Sequence, residues 1–191
     1  TFLVIETHNT WANFTRSYFF ACIIGARTAM GARVRTAIVP PDINQAIGFA
    51  VSVWKPSAKP RADGSWHRRD GPAWQDTTVL LGLSTQLGFT NAITISNAFS
   101  YPTRVHIDLP VFRNFFAHRN QESEAAAQRL TLIYGIPSTL RPVQIVLHRP
   151  LGRPQPLLSD WIDDLDSGRL SSVGSQISAI TIFVLRQSSR D

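Results

Sequence analysis

Arg113, Asn114 and His118 fall within the short run Arg113-Asn114-Phe115-Phe116-Ala117-His118. An arginine keeps its charge at any working pH and grips phosphate with a planar fork of donors. A histidine moves protons near neutral pH. Together they suffice to cleave an RNA phosphodiester without a metal. The guanidinium neutralises the phosphate oxygens, and the imidazole transfers the proton of the 2′-OH or of the leaving oxygen.

Spacing alone is weak evidence in a chain with 17 Arg and five His. Arg61 and His67 show a similar gap, as do Arg141 and His148. The first of these pairs sits in a stretch punctuated by Gly and Pro, and the second spans Pro142 and an apolar run that reads as strand or extended chain. The 113–118 pair has better surroundings. Asp108 reads as an N-cap, and Pro110 is tolerated in a first helical turn. At ~100° per residue, Leu109, Phe112, Phe116, Ala126, Ala127, Leu130 and Ile133 share one stripe. Arg113 and His118 lie ~140° apart on that wheel and straddle the opposite face. Asn114 and Glu122 are each one turn from His118, so either is placed to orient the imidazole. The plain alternative is a solvated pair on the outside of a helix.

These residues resemble the signature of the HEPN superfamily (higher eukaryotes and prokaryotes nucleotide-binding). Its motif is Arg, four to six residues, then His, often with a polar residue directly after the Arg. Arg113, Asn114 and His118 match it. The segment Asn9 to Tyr18 resembles the first helix of bacterial members less specifically. The resemblance implies a mostly α, HEPN-like helical bundle that usually dimerises, with two motif helices forming a composite ribonuclease site at the interface. It implies metal-independent cleavage that leaves a 2′,3′-cyclic phosphate, with no cofactor, and a place in toxin–antitoxin or antiviral defence systems. Arg113, Asn114 and His118 would be catalytic, with Arg119 and Asn120 as accessory RNA contacts. Some members carry a modifiable Tyr two residues after the His. Asn120 stands there in this chain, which puts that form of control in doubt. Other members only bind RNA or scaffold a complex.

The 191 residues, 43% of them hydrophobic, suit one domain with enough core to fold unaided. A single HEPN-like domain over 1–191 is expected. Cys22 is the sole cysteine, inside an apolar run, so neither a disulfide framework nor a zinc cluster is expected. No cluster of His, Asp and Glu has ligand spacing, so no metal site is assigned. No apolar run approaches the ~18 residues of a membrane span. No signal peptide is read, and a cytoplasmic protein is expected. The net charge of +6 favours polyanionic partners, RNA first. Lys55 and Lys59 are the only lysines, and an arginine bias of this kind also arises from GC-rich coding sequence.

The elements that must position these groups are read next. Residues 10–30 read as a long, greasy helix with a polar strip of Asn13, Arg16 and Ser17. Arg16 is a candidate RNA contact. Pro40, Pro41 and Asp42 stop and recap the chain, and Ile43 to Trp54 reads as helix. Residues 55–73 form a basic Pro/Gly-rich loop or hairpin insertion. Its Lys55, Lys59, Arg61, Arg68 and Arg69 could follow an RNA backbone while Trp66 stacks a base. An exposed connector whose charge keeps it soluble is the alternative. Trp74 to Leu87 reads as helix ended by Gly88, and Phe89 to Phe99 is ambiguous. The motif helix is expected over 108–134. Leu140 to Pro156 reads as an extended crossing. Ser159 is expected to cap a last helix weakened by Gly168 and Gly174, with an apolar segment from Ile177 to Leu185.

The leading expectation is an endoribonuclease acting as a homodimer, with RNA as substrate and an antitoxin or other defence protein as possible partner. The second is a non-catalytic RNA-binding or scaffold subunit.

Overall fold

The structure, a computed structural model, describes residues 2–28, 31–37, 42–99 and 103–170, the side chains at 68 and 167–170 excepted. Among the described residues there are eight α-helices, one 3₁₀ turn and no strand; Arg27 and Arg33 form an isolated antiparallel bridge. The mostly α expectation is met. The helices are α1 (Phe2–Ile23), α2 (Ile43–Trp54), α3 (Thr77–Gln86), α4 (Ala92–Phe99), α5 (Val105–His118), α6 (Gln121–Tyr134), α7 (Pro142–Leu147) and α8 (Leu157–Leu170). The described residues divide into two compact units. One draws on Thr1–Trp11 and Pro102–Ser167, the other on residues 12–99.

In the second unit, α2 begins where the sequence places it. The Asp42 side chain accepts a hydrogen bond from Gln45 N at 2.7 Å, satisfying one of the orphan donors of the first turn. Asp76 does the same for α3 through Thr78 N, so α3 starts at Thr77 rather than at Trp74. Gly88 follows α3 with φ +60°, where a side chain would meet Ala37. The ambiguous stretch after it contains α4. Phe19, Leu80, Leu83 and Leu87 form a buried core with Tyr18 and Cys22. The Asn91 side chain donates to the Tyr18 hydroxyl at 2.8 Å. α1 differs from expectation at both ends. It starts by Phe2, because Val4, His8 and Trp11 already follow helical spacing, and it ends at Ile23, before Gly25 at φ +77°.

In the first unit, α5 and α6 form an antiparallel hairpin, tied where the start of one meets the end of the other. The Tyr134 hydroxyl donates to Asp108 Oδ2 at 2.6 Å, and Trp161 Nε1 of α8 donates to the Tyr134 hydroxyl at 3.1 Å. The single motif helix over 108–134 is therefore corrected to two helices. The break falls at Arg119, whose φ is 50°, and at Asn120, whose side chain accepts from Ser123 N at 2.8 Å. Wheel phase does not carry across that break. Leu109, Phe112, Phe116, Ala127 and Leu130 are buried, but Ile133 is exposed.

Asp108 is not an N-cap either. It lies inside α5, fully buried, and receives both forks of Arg104 at 3.0 Å. Pro110 accordingly sits in the helix interior rather than in its first turn.

Two further expectations fail for one reason, that proline starts helices as well as breaking them. Residues 140–156 contain α7, with Pro142 as its first residue and Gln144 closing back on Arg141 N at 2.9 Å. α8 begins at Leu157, just after Pro156, so Ser159 is inside it rather than its cap. Gly168 lies inside α8; Gly174 and the apolar segment 177–185 lie outside the described residues.

Candidate functional site

The first half of α1 meets α5 through Trp11, whose ring lies against His106 with centroids 4.7 Å apart. Arg113 follows His106 by seven residues, two turns on and only ~20° off in phase, so both occupy one side of α5. His8 precedes Trp11 by three, about one turn back along α1. Helix phase therefore places His8 and Arg113 on the sides of α1 and α5 that carry the Trp11–His106 contact.

The electrostatics of His8 agree with that placement. Burial and the charge of Arg113 hold its imidazole below the ordinary histidine range, and a hydrogen bond with the Asn9 side chain partly offsets them. The ring is thus neutral at pH 7. His8 Nδ1 and Arg113 Nε are both buried, and neither has a hydrogen-bond partner. Arg113 is half-buried, with Nη1 donating to Asn114 Oδ1 at 3.3 Å. Its position departs from the outer face expected of it, because α1 packs on the side the wheel leaves polar.

His118 occupies the last turn of α5 and is exposed. Five residues of helix separate it from Arg113 by ~7.5 Å along the axis and ~140° around it. One copy therefore points the two groups in different directions. Arg119 and Asn120 are both exposed at the α5–α6 junction, where Asn120 spends its side-chain oxygen on capping.

The other sequence candidates lie in the second unit. The Arg16 guanidinium stands 5.6 Å from the centre of the Phe20 ring. Lys55 pairs with Asp70 at 2.5 Å, and that contact, with the charges of Lys55 and Arg69, holds the Asp70 carboxyl below its usual range. Arg61 donates to His67 Nδ1 from Nε at 3.2 Å and from Nη2 at 2.9 Å. Trp66 lies over α2 at Gly48, where an added Cβ would stand 2.8 Å from its indole nitrogen. Its side chain is half-buried. Lys59 and Arg69 are exposed, and the 3₁₀ turn Arg68–Asp70 closes the segment. The loop expected over 55–73 is thus pinned by an ion pair, an Arg–His bond and a tryptophan.

The sequence did not single out His8 or His106. Their one legible signal was phase: His8 shares a face with Trp11, and His106 with Arg113. Nothing in the sequence says that those two faces meet.

Among the described residues no group of three His, Cys, Asp or Glu is placed to hold a metal ion, and no helix is long and apolar enough to cross a membrane. No family model, curated protein or solved structure matches the chain.

Proposed function

We propose that this chain is a metal-independent endoribonuclease of the HEPN type, active as a homodimer. The observation that carries this is a guanidinium and an imidazole on one short helix. Arg113 has a buried Nε with no acceptor, and His118 is open to solvent at the helix end. A guanidinium Nε–H that lacks an acceptor is ready for an anion. An exposed imidazole is accessible to a substrate.

In the reaction, the 2′-oxygen of RNA attacks the adjacent phosphorus as a base removes its proton. The 5′-oxygen leaves and takes up a proton. The products are a 2′,3′-cyclic phosphate and a 5′-hydroxyl. Arg113 stabilises the charge that builds on the phosphate oxygens, and His118 moves a proton. Asn114 holds the guanidinium through its Oδ1, and Arg119 and Asn120 border the site. A second copy supplies His118 to the Arg113 of the first, since the two diverge by ~140° on one helix. The net charge of +6 and the basic segment 55–73 suit RNA as the substrate. A toxin or antiviral effector held by an antitoxin or another defence protein, in the cytoplasm, is the setting this activity fits.

The test is cleavage of labelled structured and single-stranded RNA in EDTA, wild type beside His118→Ala and Arg113→Ala. Cleavage by wild type alone, with cyclic-phosphate ends, is expected. Cleavage retained by both variants would overturn the assignment. The second reading, a non-catalytic RNA-binding or scaffold subunit, draws on the same divergence of Arg113 and His118, since a monomer holds only half a site. RNA binding without cleavage by the dimeric wild type would favour it.

A further inference from the structure

The segment 55–73 carries one contact whose chemistry depends on a proton. Arg61 Nε and Nη2 both donate to His67 Nδ1, at 3.2 Å and 2.9 Å. A guanidinium has donors only, so Nδ1 must be the lone-pair nitrogen of the imidazole. The ring in this contact is therefore neutral, with its proton on Nε2. Nε and Nη2 form the edge of a guanidinium that grips a phosphate through two parallel hydrogen bonds. Here that edge is turned onto the imidazole. A proton on Nδ1 leaves it no acceptor and puts a second cation in front of it.

The pair is held in place yet reached by solvent. Arg61 is exposed and His67 half-buried. Arg61 N donates to Ser65 O at 2.8 Å and Gly64 N to Arg61 O at 2.9 Å, closing the chain between the two side chains into a tight turn. Asn44 Nδ2 of α2 fastens that turn through Gly64 O at 2.9 Å, and Trp66 lies at Gly48. α2 brings no charge to the pair, since Ile43–Trp54 contains no titratable residue. The carboxylates nearby belong to the segment itself and are engaged. Asp63 Oδ1 accepts from Ser65 N at 2.9 Å and from Ser65 Oγ at 2.7 Å, and Asp70, which feels the His67 charge, pairs with Lys55. Among the described side chains, the remaining charges of the segment are the exposed cations Lys59 and Arg69.

We propose that Arg61 and His67 form a proton-gated binding site for the phosphodiester backbone of nucleic acid. It rests on RNA as the partner in the proposed function, but it concerns a surface of the second unit and not the Arg113 site. With His67 neutral, the guanidinium edge is occupied. When a proton from solvent adds to Nδ1, the edge is released and both ring nitrogens donate, so one phosphate can accept from both side chains. No covalent bond forms or breaks. Binding takes up a proton, so affinity rises as pH falls through the range in which histidine titrates.

The test is binding of a short oligodeoxythymidylate, which has no 2′-OH to react, to the full chain by fluorescence anisotropy at pH 7.5 and 5.5 over several salt concentrations. Wild type should bind about threefold tighter or more at pH 5.5, and its plot of log affinity against log salt should steepen by about 0.7, one added phosphate contact on a single strand. His67→Gln keeps an uncharged acceptor for Arg61 and should lose both changes. Arg61→Lys keeps the charge without the two-donor edge and should gain less than wild type. The ring nitrogen resonances of His67 should report an unprotonated Nδ1 at pH 8. No gain in wild type, an undiminished gain in either variant, or a proton on Nδ1 at pH 8 would overturn the proposal. RNA cleavage without the gain would remove this site and leave the ribonuclease standing. The gain without cleavage would keep this site and favour the RNA-binding subunit over the ribonuclease.

Discussion

The charge of Arg113 reaches across from α5 to His8 on α1, while His118, on the same helix as Arg113, points elsewhere. The sequence motif names one histidine, and the fold brings another to the arginine.

That relationship has a consequence for stability. The folded pKa of His8 lies below its unfolded value of 6.5. Below that value the unfolded chain binds a proton that the folded chain resists. Stability from this group is therefore full above the unfolded pKa and falls as pH drops through 6.5 toward the folded value. His8→Asn removes the titration. Urea denaturation between pH 7.5 and 5 should show a flatter loss of stability on the acid side than in wild type. An unchanged slope would mean that His8 titrates alike in both states.

The composite site predicts complementation. Arg113→Ala and His118→Ala should each be inactive. A heterodimer of the two variants regains one intact site, built from the Arg113 of one copy and the His118 of the other. Co-expressed and co-purified, the pair should recover up to about half of the wild-type rate per dimer, since one of two sites is restored. No recovery would place both groups in the same copy. Mixed tags that identify the heterodimer make the comparison quantitative.

A part-buried polar chain holds the α5–α6 hairpin to α8: Arg104 to Asp108, Tyr134 to Asp108, and Trp161 to Tyr134. Burial and the Asp108 carboxylate both drive the Tyr134 hydroxyl well above the usual phenol range, so it stays protonated and donates. Tyr134→Phe leaves a fully buried carboxylate short of one donor and the indole N–H without an acceptor. The expected loss is about 1–3 kcal/mol by chemical denaturation. Phe112→Ala, which empties a buried ring position beside Trp161, should cost more, about 3–5 kcal/mol. A negligible effect of Tyr134→Phe would show that solvent reaches this chain.

How much of this was legible in the sequence depended on whether the signal was local. Asp42 after two prolines marked the start of α2 because capping involves only neighbouring residues. The break at Arg119 and Asn120 was masked by Glu122, Ala125, Ala126 and Ala127, which keep helical composition running through it. Its one local mark was Asn120 three residues ahead of Ser123. Asp108 looked like a cap because an acid before an apolar run usually is one. Its true partners, Arg104 and Tyr134, include a residue 26 positions away. The pairing of His8 with Arg113 is more distant still, and helix phase alone cannot say which faces meet. For the same reason Trp66 read as a free base-stacking platform, although it packs at Gly48 on α2.

Arg119 offers the last test, because its backbone role can be separated from its charge. Its φ of 50° and ψ of 36° place it in the left-handed region, closing α5 through its own N–H to Phe115 O at 2.7 Å. An L side chain there costs about 1–2 kcal/mol, and glycine escapes that cost. Arg119→Gly should therefore stabilise the chain by about 1 kcal/mol, with a thermal midpoint higher by a few degrees. Asn120→Ala should act in the opposite direction by a similar amount, through loss of the cap on α6. Arg119 is exposed, so the stabilised Arg119→Gly variant also isolates its contribution to RNA. Weaker RNA binding at raised stability would mark Arg119 as an RNA contact, since a damaged fold could not explain it. Unchanged binding would restrict it to the turn.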